Sequence, residues 1–302
     1  MAGPDAGGGL GRWRTAVLPG VLVAVLLGVG AWRLVHPGQP RVLGHPVSYW
    51  IFPGLQHPKE PPERIAAAFA AMDDRSVRFL TRELDWKPSE LARVLNAAAN
   101  GRLEVHFSDR EDLRYMAAMA LAQLGPRAVS AIPTLERCVR QTPEPRADVA
   151  RGAALAALIQ LRHDPLTQLL VKLRDPSDPE WTVHALAAKD LGPHAAAAAP
   201  VLAEVLASTN NIFVRGYAAW ALVSVQGPPE VTLPALRAVL GDQSGWIRRS
   251  AALGLGNLGP AAKPAWADLL PLLNDTEWGV RSWTTNALRQ IDPEAARQLG
   301  LD

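Results

Sequence analysis

The sequence predicts an all-α fold: a right-handed α-solenoid of stacked antiparallel helix pairs, preceded by one N-terminal transmembrane helix. Three observations carry that prediction. The stretch Asp275 to Pro293, DTEWGVRSWTTNALRQIDP, recurs upstream with the same residue types in the same order. Helix-stopping Gly-Pro or Asp-Pro pairs place Pro126, Pro165, Pro193, Pro228, Pro260 and Pro293 about thirty to forty residues apart, a solenoid period. Ahead of them, Thr15 to Trp32 is an uncharged, largely apolar run.

Residues 1–14 read as a Gly/Ala-rich cytoplasmic tail and residues 15–35 as a signal-anchor helix, near the lower end of the roughly 17–25 residues that span a bilayer. Trp13 and Trp32 bracket the run where interfacial aromatics belong. A cleaved signal peptide is the alternative, because Val29-Gly30-Ala31 resembles a small-residue cleavage site. Arg12, Arg14 and the terminal amine against Arg33 and Arg41 favour the N-terminus inside. The expectation is a single-pass membrane protein whose C-terminal domain lies on the periplasmic side.

Residues 36–61 form a Pro-rich linker expected to run extended, except for an apolar island at 44–52. There Tyr49, Trp50 and Ile51 are read as a cap on the first face of the solenoid, with a binding role for Trp50 as the alternative. Residues 62–110 are read as a divergent helical repeat: Ile65, Ala68, Phe69 and Met72 lie at helical spacing, then Val77, Phe79, Leu80 and Leu84. A third helix starts at Pro88-Ser89-Glu90, and the alternation of Leu103, Val105 and Phe107 fits no helix.

Residues 111–302 are the regular repeats. In the first copy Arg114, Ala117, Ala118, Ala120 and Leu121 lead to Gly125-Pro126, and Pro133 then opens a second helix with Leu135 and Val139. Arg215 and Arg248 head equivalent first helices, each followed by paired alanines, a leucine, Gly-Pro and a second helix. A proline at a helix start loses no hydrogen bond, since that N–H is free anyway. Small residues let helices approach closely, and one pair alone cannot bury both faces. The third copy reaches Gly192-Pro193 about one turn early and has His184 in the arginine position, so a local irregularity is expected there.

Asp-x-x-Trp-x-Val-Arg followed by small residues, as in Asp275 to Thr285, resembles the HEAT repeat, in particular the short HEAT-like type of phycocyanobilin lyases, with an armadillo-type superhelix. The resemblance covers about Asp112 to the C-terminus. It implies an arginine ladder, in which Arg114, Arg151, Arg215, Arg248 and Arg281 pair with the turn acids Asp175, Asp242 and Asp275 to fix stacking. It also implies a concave face lined by second helices, with Arg137, Gln168, Glu204, Arg237 and Asp268 pointing outward as candidate partner contacts.

The 302 residues carry a formal charge of only +2, so no dedicated nucleic-acid binder is indicated. Cys138 has no second thiol and is expected to pack as a small apolar residue. None of the seven histidines is followed by glutamate, so the His-Glu pairs of di-iron HEAT hydroxylases are missing; His163-Asp164 is one isolated pair. No Walker-type loop appears. The sequence therefore leads to a non-enzymatic, membrane-anchored scaffold for a protein partner, without cofactor, metal, small-molecule substrate or nucleic acid. The rivals are a lyase or other enzyme using the groove, and a nucleic-acid-binding HEAT-like protein.

Overall fold

A computed structural model describes residues 40–51, 60–85, 108–141, 147–162 and 166–301. The tail at 1–14, the span read at 15–35, Pro88-Ser89-Glu90, Leu103 to Phe107 and the His163-Asp164 pair lie outside them. Among the described residues no helix is long and apolar enough to cross a membrane. The chain divides into two compact units, Met1–Ser76 and Val77–Asp302.

In the first unit, part of the Pro-rich linker is not extended. Strands β1 (Arg41–Val42) and β2 (His45–Pro46) pair antiparallel across Leu43 and Gly44, whose positive φ angles of 47° and 83° are those of a tight hairpin turn. Helix α1 (Val47–Ile51) follows directly. Trp50 is 2% exposed, and its indole N–H donates to Val42 O at 2.8 Å, so its ring anchors the hairpin and is closed to a ligand. His45 stacks on Tyr49 at 4.2 Å, and the Tyr49 hydroxyl donates to Glu60 at 2.6 Å. Arg64, on helix α2 (Pro62–Ala71), binds the same carboxylate at 2.9 Å. The apolar island thus caps α2 within its own unit.

Helix α3 (Asp74–Leu84) is started by Asp73, whose carboxylate accepts from Ser76 N at 3.0 Å. The unit boundary falls inside this helix.

The second unit continues with pairs of helices. The first members are α4 (Ser108–Leu124), α6 (Ala147–Arg162), α8 (Trp181–Leu191), α10 (Ile212–Ser224), α12 (Gly245–Asn257) and α14 (Trp278–Ile291). The second members are α5 (Ile132–Val139), α7 (Thr167–Leu173), α9 (Ala199–Ser208), α11 (Pro229–Ala238), α13 (Trp266–Leu269) and α15 (Pro293–Gln298). Gly125, Gly192 and Gly259 end their helices at φ near +55° (57°, 54° and 56°), a conformation costly for any residue with a Cβ. In the fourth copy Gln226 takes the left-handed angle instead. Its neighbour Gly227 is needed for space, since a Cβ there would lie 2.2 Å from Ala199 Cβ. Helix α11 begins at Pro229, and Pro234 sits inside it.

The core is a continuous band of alanine and leucine running through the pairs, including Ala187, Ala188, Ala218, Ala219, Ala251 and Ala252. The small residues set the distance between first helices. A Cβ on Gly152 of α6 would stand 2.5 Å from Leu186 Cβ of α8, and one on Gly256 of α12 would stand 2.9 Å from Ala287 Cα of α14. Helix α8 is the shortest first helix at 11 residues, and the segment after it is kinked at Ala195.

Gly152→Ala should therefore lower stability by about 1–3 kcal/mol through overpacking, although alanine is the better helix former by about 1 kcal/mol. Gly279→Ala, with its nearest neighbour at 3.4 Å, should be neutral or stabilising. Urea unfolding of both variants checks the sign of each effect.

Candidate interaction surface

The arginines at the starts of the first helices tie each turn to the next. Arg248 donates from Nη1 to the carbonyls of Asp242 (2.7 Å) and Gln243 (3.1 Å), which belong to the turn before its helix. Its other edge, Nε and Nη2, chelates Asp275 of the following turn at 2.7 and 2.8 Å. Arg215 reaches Asp242 at 2.8 Å. Arg151 donates to Val139 O at 3.1 Å and pairs with Asp148 and Glu180; Arg114 donates to Leu84 O at 3.1 Å and to Gln141. Arg281 holds the carbonyls of Asp275 and Thr276 at 2.7 and 3.0 Å.

Asp175 is not in this ladder. Its carboxylate accepts from Ser177 N at 3.0 Å and from Ser177 Oγ at 2.5 Å, and the acid on Arg151 is Glu180. Counting explains the error. Asp242 and Asp275 lie six residues before Arg248 and Arg281, and the residue six before His184 is Asp178. Asp178 accepts from Glu180 N at 2.8 Å as Asp242 accepts from Ser244 N at 2.8 Å and Asp275 from Glu277 N at 2.9 Å. The next turn has Thr209 at that place, and His184 Nδ1 lies 2.8 Å from Glu180 O, at the cap of its own helix. Arginine and acid are thus missing together at one junction. Burial pushes the His184 pKa down.

One side of the first helices, the inward face, brings alternate members together, whereas the resemblance implies a concave face lined by second helices. The Tyr115 hydroxyl on α4 donates to Asp190 Oδ1 on α8 at 3.0 Å, passing over α6. A bond that passes over α6 brings α4 and α8 together on this side, as a bend toward it does. Burial, and after it the Asp148 charge on α6, raise the Tyr217 pKa.

Lys189 sits at the centre of the inward face. Its ammonium pairs with Asp190 at 2.5 Å, donates to Tyr115 Oη at 3.3 Å, and lies 5.2 Å from the Tyr115 ring and 4.7 Å from the Trp220 ring. The Asp190 side chain is 2% exposed, and Oδ2 has no hydrogen-bond partner. Burial raises its pKa against the opposing pull of Lys189 and Tyr115, and burial with the Asp190 charge raises that of Tyr115. Next to this group an aromatic row runs across α10 and α12: Trp220 beside Tyr217 at 6.4 Å, and Tyr217 edge-on to Trp246 at 5.2 Å. Trp246 occupies the notch left by Gly216, where a Cβ would be 2.2 Å from its ring. Ile212 and Phe213 open α10 exposed, Phe213 at 68%.

The sequence-read contacts on the second helices are largely engaged already. Arg137 on α5 pairs with Asp85 at 3.1 Å and donates to Thr134 Oγ1 at 2.9 Å; Arg237 on α11 pairs with Asp268 on α13 at 2.6 Å. Glu204 lines a cleft of about 400 Å³ with Arg174, Pro176 and Pro200, and Gln168 is exposed on α7. They form no single cluster. Cys138 is buried beside Arg114 Nη2 at 3.5 Å. Trp181 is buried with its indole N–H on Leu173 O at 2.9 Å. Among the described residues no three His, Cys, Asp or Glu side chains are grouped so as to hold a metal ion.

The Lys189 group was missed, yet a signal existed. Six residues after the arginine position the copies carry Ala120, Ala157, Asp190, Ala221, Gly254 and Ala287, so Asp190 is the one charge in a column of small residues. One residue after it Tyr115 replaces the glycine of Gly152 and Gly216.

The family model described as HEAT repeats matches residues 164–256, the segment from α7 through nearly all of α12. These residues are thus similar to HEAT repeats, and the described helices of the second unit form a stack consistent with a HEAT solenoid. No curated protein matches the chain.

The ladder makes a quantitative prediction. A double-mutant cycle on Arg248→Ala and Asp275→Ala should return a coupling of about 1–3 kcal/mol, the range of a charge-assisted bidentate pair. The Arg248 hydrogen bonds hold Asp275 below the usual carboxylate range. Its stabilisation is therefore fully present above the unfolded value of about 3.9 and is lost as pH falls through the lower native value. The measured coupling should be constant from pH 7 to 5 and fall below pH 4.

Proposed function

We propose that this protein is a non-enzymatic HEAT-repeat scaffold that binds a protein partner along the inward face of its first helices. In the same reading, residues 15–35 tether it to a membrane and the repeats lie outside the cytoplasm. The observation that supports the binding face is the exposed aromatic row beside Lys189. Trp220 is 36% exposed, Tyr217 is half-buried, and Ile212 and Phe213 extend the apolar surface at the start of α10. Aromatic side chains offer large contact area at low entropic cost, and a rim of mixed charge suits a protein surface.

Lys189 is held in place by Asp190 and two rings at the base of the face. The rival enzymatic reading would draw on the Tyr115, Lys189 and Asp190 group. A nucleic-acid reading would need a continuous basic stripe with steep salt dependence. The lyase type of the family resemblance carries no residue assignment here, since fold alone does not give activity.

The test is crosslinking and affinity capture from the native membrane, comparing two double variants of equal helical content. Tyr217→Ala with Trp220→Ala should lose the wild-type crosslinked partner by at least about tenfold, the scale of a single hot spot. Arg237→Ala with Asp268→Ala, on the second-helix side, should retain it. Equal capture by both, or loss only with the second pair, contradicts the assignment of the face.

A further inference from the structure

The guanidinium of Arg248 has two working edges, one for backbone and one for a carboxylate. Arg281, thirty-three residues later, repeats the first half of that arrangement: Nη1 holds Asp275 O at 2.7 Å and Thr276 O at 3.0 Å, as Nη1 of Arg248 holds Asp242 O and Gln243 O. The second half is absent. Among the described residues no carboxylate meets the Nε–Nη2 edge of Arg281, whereas the same edge of Arg248 carries Asp275 at 2.7 and 2.8 Å.

The surroundings of that edge are built differently from those of the other rungs. In α12 the positions that receive the next first helix are Gly245, Ala252 and Gly256, all buried. Thirty-three residues on, the same positions in α14 are Trp278, Thr285 and Arg289. Trp278 is 74% exposed and Arg289 is exposed. Together with Arg281, Ser282 and Asn286 they line an open cleft of about 530 Å³ that contains two arginines and, among the described residues, no acid. Bulky and polar residues here exclude another closely stacked first helix, but they leave the carboxylate-binding edge intact.

We propose that this face of α14 binds an acidic turn of a partner protein, one aspartate or glutamate of which is chelated by Nε and Nη2 of Arg281. The rung between Arg248 and Asp275 is the template: a turn carboxylate held by two parallel N–H donors, with the helix that follows the turn packing beside it. Trp278 supplies the apolar platform and Arg289 a second positive charge, so the partner segment carries at least one further acid and an apolar residue. Arginine is specific to this task because its planar fork matches a carboxylate, which a lysine does not reproduce. This site lies on α14, away from Tyr217 and Trp220 on α10, and does not depend on the reading of that aromatic row.

The probe is a fluorescent peptide with the chain's own turn, residues 272–283, titrated into the full-length protein and read by anisotropy. Its Asp275→Asn version should bind about tenfold or more weakly, the factor expected from removing one charge-assisted bidentate contact. Arg281→Gln in the protein should produce the same loss, Arg281→Lys should not restore binding, and Tyr217→Ala with Trp220→Ala should leave it unchanged. Arg289→Glu, at an exposed position whose side chain holds Leu301 O at 3.0 Å, should also abolish binding with helical content unchanged by circular dichroism, and so covers the case in which Arg281→Gln unfolds this repeat. The assignment is overturned by no binding of the parent peptide, or by equal binding of the aspartate and asparagine peptides. It is also overturned if sedimentation shows self-association of the wild type that Arg281→Gln removes, which would make the occupant a second copy of the chain.

Discussion

A single guanidinium in contact with two successive turns is the interaction on which the stack depends. Arg248 grips the carbonyls of the turn before its helix and the carboxylate of the turn after it, so a change in its position would disturb three segments at once. Stacked helix pairs have no sheet register to align them, and alanine and leucine faces slide easily over one another. The rungs supply the register, while the glycine and alanine columns supply the close approach. At Gly152 and Gly256 that approach leaves no room for a methyl group beside the neighbouring helix. Close packing on the first-helix side brings alternate helices within reach.

The ladder lapses once, and the lapse coincides with the most unusual polar group. Helix α8 has His184 where its neighbours have arginine, and the turn that follows has Thr209 where others have aspartate. What ties α8 laterally is Asp190, bonded across α6 to Tyr115 and paired with Lys189. A buried carboxylate with one unsatisfied oxygen is a costly tie, offset by a cation and a hydroxyl on its other oxygen. Its placement also fixes Lys189 over the rings of Tyr115 and Trp220, which organises the aromatic row on the inward face. Structural irregularity and candidate binding surface therefore share one cause, the loss of a rung.

Much of the fold was legible because its signals are local and repeated. Gly-Pro stops, paired alanines and the arginine column could be read by alignment of the chain with itself, and Gly192-Pro193 arriving early marked α8 as short. The hairpin at Arg41 to Pro46 was not legible: two-residue strands carry no periodicity, and Leu43 at positive φ is no turn signal. Asp175 was misread because the nearest acid to a turn is not the one in register; the spacing of six residues identifies Asp178. The first-helix face was not legible because contacts between alternate helices depend on the summed widths of facing side chains, which no single repeat contains. The crowding of first helices at Gly152, Gly216 and Gly256 is consistent with a direction of bend toward them.

The central claim is that direction of bend, and a pair of distances measures it directly. With Cys138 replaced by serine, spin labels at Asp148 and Ile212 report the separation of α6 and α10 on the first-helix side, and labels at Val171 and Ala238 report that of α7 and α11 on the second-helix side. Both pairs skip one repeat. Pulsed dipolar spectroscopy should give a clearly shorter distance for Asp148 and Ile212. Equal distances, or a shorter one between Val171 and Ala238, would contradict the account and return the concave surface to the second helices.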